Sequence, residues 1–397
     1  MKKIILGVLV MLALTGLIAS CEPGKKPDAA AGDTATTTEA VTEPPEPFVL
    51  PDDLGLKDYV AIIRPDFRIG TYYFLDAEWH SPKIIEHAKK NYDTATLGIF
   101  MHETQPSRAS WSLTRLNSRL STVKRHGMDV CFHLLNGWNT YSPAWFKDGS
   151  FTEEELEEIL DNRIKTIMEK YKDDIWAVHV INEAFEWGGG LYPAARNKWI
   201  NMGMTRLDSG YSIPKYIELS FIKAREYGGD DILLVYNDDG NSLPETNRGR
   251  STLRLIREMK GAGIPVDAVG VQLHMYLRAD GKIYEEQGIV FDYAKFDAMI
   301  TAYGELGVEV HITEFEVKLP ANPTEEQYEK QAETYRRVLE TCINNPYCTL
   351  FQVWYISDNY SPGDTKSGPF DKSNDPKPAY YAMRDLLKEM AEDVLNG

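Results

Sequence analysis

The sequence is poor in cysteine, lacks an excess of positive charge and has no apolar run as long as a membrane span. Four cysteines in 397 residues are too few for the dense disulfide framework of a small secreted domain. The 43 Lys and Arg against 60 Asp and Glu give a formal net charge of −17, which argues against a nucleic-acid partner. The apolar run from Ile4 to Ile18 is shorter than the about 20 residues that a transmembrane helix needs.

A glycine-rich phosphate turn is also missing. No Gly-x-Gly-x-x-Gly sequence follows the first predicted strand, Phe67–Tyr73, and the run 188–190 after the fourth strand lacks that spacing. An open, doubly wound nucleotide-binding sheet is therefore the second choice of fold.

The amino terminus has the features of an export signal. Lys2 and Lys3 precede the apolar run, and Ile18-Ala19-Ser20-Cys21 resembles a bacterial lipobox. We predict that residues 1–20 form a lipoprotein signal peptide and that Cys21 carries the lipid. The alternative is an ordinary signal peptide with a chance cysteine.

Residues 21–47 combine the candidate lipidated cysteine with a segment rich in Ala, Thr, Pro and Glu that contains no aromatic residue. Such a segment buries too little apolar surface to offset its ordering entropy, so we predict a disordered linker. The folded domain is expected over residues 48–397, as an exported monomer that a lipid anchors to a bacterial membrane, outside the cytoplasm.

Strands and amphipathic helices alternate through that domain. Helical patterns such as Glu153–Tyr171 and Glu325–Cys342 separate eight short runs rich in Val and Ile. Eight βα repeats predict a (β/α)8 TIM barrel. The strand candidates are Phe67–Tyr73, Ala95–Phe100, Met128–Leu134, Trp176–Ile181, Ile232–Tyr236, Ala268–Gln272, Val308–Thr313 and Leu350–Tyr355.

Three cysteines lie in the predicted domain. Cys131 is within a strand and is expected to be a buried apolar residue. Cys342 and Cys348 flank a helix end and a turn, so a local disulfide is plausible in an exported protein. No His or second Cys pair lies close enough in sequence to indicate a metal site.

Polar residues collect where the predicted strands end, which is where a barrel of this kind carries its catalytic groups. Glu183 follows one apolar run and Glu314 ends another. Two carboxylates delivered to one mouth can cleave a glycosidic bond. One acid must hold a proton for the leaving oxygen, and an anionic Glu314 nearby would raise the pKa of Glu183 for that purpose.

Five segments resemble motifs of the family 10 glycoside hydrolases, which are (β/α)8-barrel endo-β-1,4-xylanases. Residues 178–184 are similar to Trp-Asp-Val-Val-Asn-Glu-Ala, with Val178 and His179 in place of Trp and Asp, and residues 312–317 to Ile-Thr-Glu-Leu-Asp-Ile. Residues 271–275 are similar to the Gln-x-His strand, residues 351–354 with Asp358 to Val-Trp-Gly…Asp, and residues 377–380 match Lys-Pro-Ala-Tyr. The resemblance runs from about Phe67 to the carboxyl terminus.

The resemblance implies a role for each matching residue. Glu183 would be the general acid/base and Glu314 the nucleophile. The side chains expected to contact or orient the sugar are Asn182, His133, Gln272, His274 and Trp354. It further implies that His274 orients Glu314 and that Glu316, in place of the family's Asp, supports His274. Cys342 and Cys348 look like a disulfide found in some members.

His179 replaces a family Asp and shares strand parity with Glu183. It either tunes that acid or is a packed, hydrogen-bonded histidine of the barrel interior, and we favour the second interpretation. The chemistry implied by the resemblance needs no cofactor and no metal.

Sugar-holding positions depart from the family pattern. Residues 96–102 align with Thr-x-Glu-Asn-x-Met-Lys, but Gly98, Ile99 and His102 replace its Glu, Asn and Lys. The strand-five Asn-Asp-Tyr-Asn becomes residues 237–240, which lose an aromatic at Asp239. Xylan is the leading substrate, with another β-linked glycan open. Trp138, Trp145 and Trp187 either supply new sugar platforms or pack in loops.

Two other classes of function remain open. A surface glycan-binding lipoprotein on a barrel that has lost catalysis would also explain the rebuilt positions, because fold alone does not determine activity. A solute-binding lipoprotein would explain the anchor, but such proteins have two lobes and a hinge. The presence of both Glu183 and Glu314 favours the polysaccharide hydrolase.

Overall fold

A computed structural model describes residues 48–73 and 81–397. The signal peptide, the lipid site at Cys21 and the linker fall outside the described residues. No helix within these two ranges is long and apolar enough to cross a membrane.

Twelve β-strands are found in the described part of the chain. Eight are parallel and close into a barrel in the order β1-β2-β3-β4-β7-β8-β11-β12, because β11 pairs with both β12 and β8. The strands are β1 (Arg68–Tyr72), β2 (Thr94–Gly98), β3 (Asp129–Gly137), β4 (Ala177–Asn182), β5 (Met204–Arg206), β6 (Ser212–Pro214), β7 (Leu233–Asp238), β8 (Ala268–Val271), β9 (His274–Leu277), β10 (Ile283–Glu285), β11 (Glu309–Lys318) and β12 (Cys348–Val353).

All eight predicted barrel strands are confirmed, with ends that differ by a few residues. Helices surround the barrel, as expected for βα repeats. They are α1 (Leu56–Ile63), α2 (Pro82–Asn91), α3 (Met101–Thr104), α4 (Thr114–Arg125), α5 (Ala144–Lys147), α6 (Glu153–Tyr171), α7 (Lys215–Gly228), α8 (Asn247–Gly261), α9 (Tyr293–Gly304), α10 (Glu325–Asn344) and α11 (Pro378–Asn396).

The start of α6 shows why the sequence identifies this helix so sharply. The Thr152 hydroxyl accepts a hydrogen bond from the Glu155 N–H, and the Glu155 carboxylate accepts one from the Thr152 N–H. This reciprocal cap satisfies two backbone donors that no helical carbonyl can reach. Three glutamates in the first turn add a favourable interaction with the helix dipole.

Small side chains and one large ring fill the amino-terminal end of the barrel. Cys131, Ala177, Val235 and Ala268 from four neighbouring strands pack together, and Trp176 packs against them. The Trp176 indole donates to Thr94 Oγ1 at 2.8 Å. The expectation that Cys131 is buried is confirmed, and this end of the barrel is a packed core.

Two short hairpins were not expected from the sequence. β5 pairs with β6, and β9 with β10, through strands of three or four residues that are too short to give a clear alternating pattern. β9 also pairs in parallel with the end of β11, with His274 opposite Glu316. This pairing extends the barrel mouth beyond the closed ring of strands.

The expected bond between Cys342 and Cys348 is absent from the structure. Both residues are buried free thiols, one near the end of α10 and the other at the start of β12. The two thiols interact with each other: burial raises the pKa of Cys342, and the hydrogen bond with Cys348 raises it further. They therefore behave as small buried side chains of the core.

Candidate active site

Glu183 follows the last residue of β4 in a strained backbone conformation. Its φ is +53°, a left-handed value that costs about 1–3 kcal/mol for a residue with a side chain. Two donors bond its carboxylate from the neighbouring strands and loops: Trp138 Nε1 lies 2.8 Å from Oε2, and Gln272 Nε2 lies 3.1 Å from Oε1. Asn182 Nδ2 donates to Oε1 at 2.9 Å, and the Tyr141 hydroxyl lies 3.4 Å from the same atom.

Glu314 projects from β11 and is only 4% exposed. Its Oε1 accepts a hydrogen bond from Asn237 Nδ2 at 2.9 Å, and its Oε2 lies 3.1 Å from His274 Nε2. Burial raises the pKa of the Glu314 carboxyl, hydrogen bonding to His274 opposes this, and the charge of Glu183 raises the pKa further.

An amide chain links the two carboxylates. Asn237 Nδ2 donates both to Glu314 Oε1 and, at 2.7 Å, to Asn182 Oδ1. Asn182 in turn donates to Glu183, and Gln272 Nε2 lies within 3.2 Å of both Asn182 Oδ1 and Glu183 Oε1. The structure thus brings two sequence-predicted acids and two sequence-predicted amides into one hydrogen-bonded group. Asn237, noted in the sequence only as a residue near a strand end, joins them.

His274 lies between two carboxylates. Its Nδ1 is 2.7 Å from Glu316 Oε1, while its Nε2 faces Glu314. Burial alone would lower the pKa of His274, but the hydrogen bonds to Glu314 and Glu316 outweigh burial and raise it to about 10. At neutral pH the ring is an imidazolium that donates to both acids, and it fixes the direction in which Glu314 Oε2 points.

Aromatic rings occupy the other side of the mouth. His133 lies at the centre of this group, and its ring meets those of Tyr72, Phe100, Tyr141 and Trp354 edge-on, with centroids 5.8–6.4 Å apart. His133 is 3% exposed, because these rings cover it. Trp354 is partly exposed, and its ring also lies 5.9 Å from that of His274. The rings therefore adjoin the acidic group.

His179 lies beneath His133 in the barrel interior. The two Nδ1 atoms are 2.8 Å apart, so one ring donates to the other. Burial lowers the pKa of His133 to about 3, and burial together with His133 lowers that of His179. Both rings are neutral at physiological pH, and His179 has the packed, hydrogen-bonded position that the sequence favoured.

The strand-two substitutions make space for rings. A Cβ at Gly98 would lie 2.7 Å from both a Phe100 ring carbon and the Tyr72 hydroxyl oxygen. Phe100 also stacks on His102 and on Tyr141, with interplanar angles of 2° and 14°. The position where the family carries a glutamate is thus filled from two sides by aromatic groups, which a single sequence does not reveal.

Two parts of the mouth can now be named. The catalytic half consists of side chains on or after β4, β7, β8, β9 and β11: Asn182, Glu183, Asn237, Gln272, His274, Glu314 and Glu316. The aromatic half consists of side chains on or after β12, β1, β2 and β3: Trp354, Tyr72, Phe100, His133 and Tyr141. Among the residues that the structure describes, no three His, Cys, Asp or Glu side chains form a group that could hold a metal ion.

Paired carboxylates beside aromatic rings, at the carboxyl ends of eight parallel barrel strands, define a class of protein. Aromatic rings offer flat apolar faces to sugar rings, and the two acids can supply a nucleophile and a proton donor. The fold and the site together are those of a barrel glycoside hydrolase.

Comparisons with known proteins identify the family. The model of glycosyl hydrolase family 10 matches residues 62–386, so the chain belongs to that family. Endo-1,4-beta-xylanase B of Thermotoga neapolitana is 28% identical over 79% of this chain and 87% of its own. Endo-1,4-beta-xylanase 2 of Aureobasidium pullulans is 27% identical over 70% of this chain and 75% of its own.

Solved structures of xylanases have the same fold as this chain. Native xylanase 10B of Thermotoga maritima superposes with a TM-score of 0.75 at 26% identity, over 86% of this chain and 100% of that one. Xylanase 10B of Thermotoga petrophila in complex with xylobiose superposes with a TM-score of 0.74 at 25% identity, over 85% of this chain and 98% of that one. The chain is a glycoside hydrolase of the endo-1,4-β-xylanase class.

Proposed function

We propose that the protein cleaves β-1,4-linked xylan, or a related plant polysaccharide, within the chain and with retention of anomeric configuration. Glu314 is the nucleophile and Glu183 the general acid/base. The observation that carries this proposal is the hydrogen-bonded group in which Asn182 and Asn237 link the Glu183 and Glu314 carboxylates.

In the first step the Glu314 carboxylate attacks the anomeric carbon and the bond to the leaving oxygen breaks. Glu183 gives its proton to that oxygen, so the departing sugar leaves as an alcohol. His274 and Asn237 each donate to one oxygen of Glu314, which holds the carboxylate in a single orientation before attack.

In the second step water hydrolyses the ester bond between the sugar and Glu314. Glu183, now a carboxylate, takes a proton from water, and the water oxygen attacks the anomeric carbon and releases Glu314. The charge of Glu314 is absent while it is bonded to the sugar, so a negative Glu183 meets less repulsion in this step. Trp138 and Gln272 supply donors for that negative charge.

Proton NMR of the first-formed product tests the stereochemistry. Xylohexaose should release the β-anomer first, which then mutarotates. Initial release of the α-anomer would contradict retention, because the configuration at the anomeric carbon would then have been inverted. A retaining route needs carboxyl groups about 5–5.5 Å apart, whereas an inverting route needs a wider gap of about 6.5–9.5 Å. A Glu314→Ala variant is the control for contaminating activity.

A panel of β-linked glycans tests the substrate and the remaining alternative. Reducing-sugar release is expected from xylan in preference to cellulose and mannan, and the Glu314→Ala variant should release none. The filled strand-two position at Gly98 leaves a glycan-binding function without catalysis as the second candidate. Binding of xylan without release by the unaltered protein would favour that candidate.

We further propose that the protein is exported and anchored through lipid on Cys21, with polysaccharide as its partner and the monomer as the working unit. The support is the lipobox-like end of the apolar run. Radiolabelled palmitate should enter the full-length chain in a bacterial host and should not enter a Cys21→Ser variant. Equal labelling of the two would contradict the anchor.

A further inference from the structure

Trp187 is an exposed aromatic residue at the mouth of the barrel. It lies in the loop that follows Glu183, and 47% of its surface is exposed. The other exposed Phe, Tyr and Trp side chains of the described residues are Phe48, Tyr347 and Tyr381, and none of these three follows the carboxyl end of a barrel strand. The exposed part of the indole is apolar surface in contact with water, and a ligand that stacks on it would remove that surface from water.

A buried arginine supports one face of Trp187. The Arg248 guanidinium carbon lies 5.0 Å from the centre of the Trp187 ring, although Arg248 comes from α8 and is 1% exposed. Arg248 pairs with the Asp239 carboxylate and donates to the Tyr192 hydroxyl at 3.1 Å. A cation held in this way positions the ring by a cation–π contact, while 47% of the Trp187 surface stays exposed.

The anchor of that arginine is itself a substituted position. Asp239 stands where the strand-five pattern has an aromatic residue. Instead of an aromatic ring, this position therefore carries a carboxylate, which pairs with Arg248. Through Arg248, Asp239 brings the Trp187 ring to the same edge of the mouth. The chain thus lacks the aromatic residue of the family pattern at Asp239, but Trp187, from the loop after β4, is held by the arginine that pairs with Asp239.

Stacked groups connect this edge to the acid/base. The Tyr192 ring stacks on Trp138 at a centroid distance of 5.3 Å and an interplanar angle of 15°, and Trp138 Nε1 donates to Glu183. The Arg196 guanidinium packs on the rings of both Trp138 and Tyr192, at 5.0 and 4.5 Å. A chain of contacts through Arg248, Tyr192 and Trp138 thus connects Trp187 to Glu183.

We infer that Trp187 is the platform on which a sugar of the leaving-group side stacks, and that it sets the preference for long chains over short ones. This rests on the proposed hydrolytic function, because the leaving-group side is defined by Glu183 as the acid. The apolar face of a xylose ring fits the open side of the indole, while Arg248 holds the opposite side.

Binding of xylohexaose to an inactive parent tests the inference without hydrolysis. In a Glu314→Ala background, Trp187→Ala should weaken binding about tenfold by calorimetry, as expected for truncation of an aromatic anchor. Trp187→Phe should recover most of the affinity. Tyr381→Ala is the matched control, because Tyr381 is 42% exposed and has Arg384 at 4.9 Å over its ring, but lies on α11; its binding should equal that of the parent.

In the active enzyme, Trp187→Ala should raise KM for xylohexaose about tenfold and change kcat less than twofold, because a stacking platform binds substrate and transition state equally. Equal binding by the Trp187→Ala and Tyr381→Ala variants would overturn the platform and leave the hydrolase proposal intact. Failure of the Glu314→Ala parent to bind any xylan or xylo-oligosaccharide would instead overturn the proposed substrate, and the platform with it.

Discussion

The catalytic half and the aromatic half of the barrel mouth are held together by different forces. In the catalytic half, Glu314 has one donor for each carboxylate oxygen, and His274 donates to two acids at once. In the aromatic half, Phe100 is held by ring packing, with centroids 5.8 Å from His133 and 5.3 Å from Tyr141. Directional hydrogen bonds to buried charges tolerate few alternatives, whereas ring packing accepts many.

This difference explains which half diverges from the family pattern. Removing one partner from a buried charge pair leaves the other charge uncompensated, at a cost of about 3–5 kcal/mol. A volume-conserving exchange among apolar rings costs less than about 1.5 kcal/mol. Glu183, Glu314, Asn182 and Gln272 therefore keep the identities of the family pattern, and Glu316 keeps the carboxylate, whereas Gly98, Ile99 and His102 depart from that pattern beside the rings of the aromatic half.

The largest expected effect tests the catalytic half at its centre. Glu314→Gln keeps the shape of the side chain but removes the nucleophile, and it should lower kcat on xylan by about 10⁴-fold or more. Initial rates of reducing-sugar release measure this. The variant should still bind xylohexaose, because the aromatic half is unaltered. A loss of less than tenfold would show that another group is the nucleophile.

The next effect separates the two hydrogen bonds of His274. An asparagine amide can replace Nδ1 and donate to Glu316, whereas a glutamine amide reaches the Nε2 position and donates to Glu314. We expect His274→Asn to lower kcat about 10²-fold, as for loss of one preorganised donor, and His274→Gln to lower it less. Equal losses would show that orientation of Glu314 is not the function of His274.

The same residue makes stability depend on pH. The pKa of His274 is about 10 in the folded state, above its ordinary value of 6.5, so folding takes up a proton between these values. The stabilisation is complete below about pH 6.5 and is lost as pH rises through 10. Urea unfolding of the wild type and His274→Asn should therefore differ most at pH 6 and least above pH 10. A difference that grows with pH would contradict an imidazolium here.

A smaller effect is expected in the aromatic half. Gly98→Ala places a Cβ 2.7 Å from Phe100 and from the Tyr72 hydroxyl, so overpacking should lower the free energy of unfolding by about 1–3 kcal/mol. Chemical unfolding measures this change. In a Phe100→Ala background the same substitution should cost clearly less, because the clashing ring is gone. An equal cost in both backgrounds would mean that Phe100 does not occupy this space.

Most of the fold and of the catalytic half could be predicted from the sequence. The eight apolar runs marked the barrel strands because parallel strands are buried on both faces, and Glu183 and Glu314 followed two of them directly. Pairing of β9 with β11 places Glu316 beside His274, which is the contact that the family resemblance implied.

Less of the aromatic half could be predicted: the family resemblance implied His133 and Trp354, whereas Tyr72, Phe100 and Tyr141 were not recognised as parts of the site. Tyr141 lies in a short helical turn, at residues 139–141, and reaches Glu183 only because of how the loop after β3 folds back. Arg248, which supports Trp187, is outside the aromatic half and was missed as well: it is the second residue of the amphipathic helix α8, yet it is buried under Trp187, whereas an arginine normally faces solvent. Neither position carries a spacing signal, since both depend on loop geometry that only the folded chain defines.

The smallest expected effects lie where the two halves meet, at Trp138 and Tyr141. Trp138→Phe removes the Nε1 donor, 2.8 Å from Glu183 Oε2, but keeps a ring to stack on Tyr192. A hydrogen bond to a charged group contributes at least about 1.5 kcal/mol, so kcat/KM should fall about tenfold or more. Tyr141→Phe removes a 3.4 Å contact and keeps the stack on Phe100, so kcat/KM should fall about twofold. Both rates are measured on xylohexaose at the pH optimum. A larger loss for Tyr141→Phe than for Trp138→Phe would mean that the aromatic half takes part in catalysis through its hydroxyl, and the division between the two halves would then have to be redrawn at Tyr141.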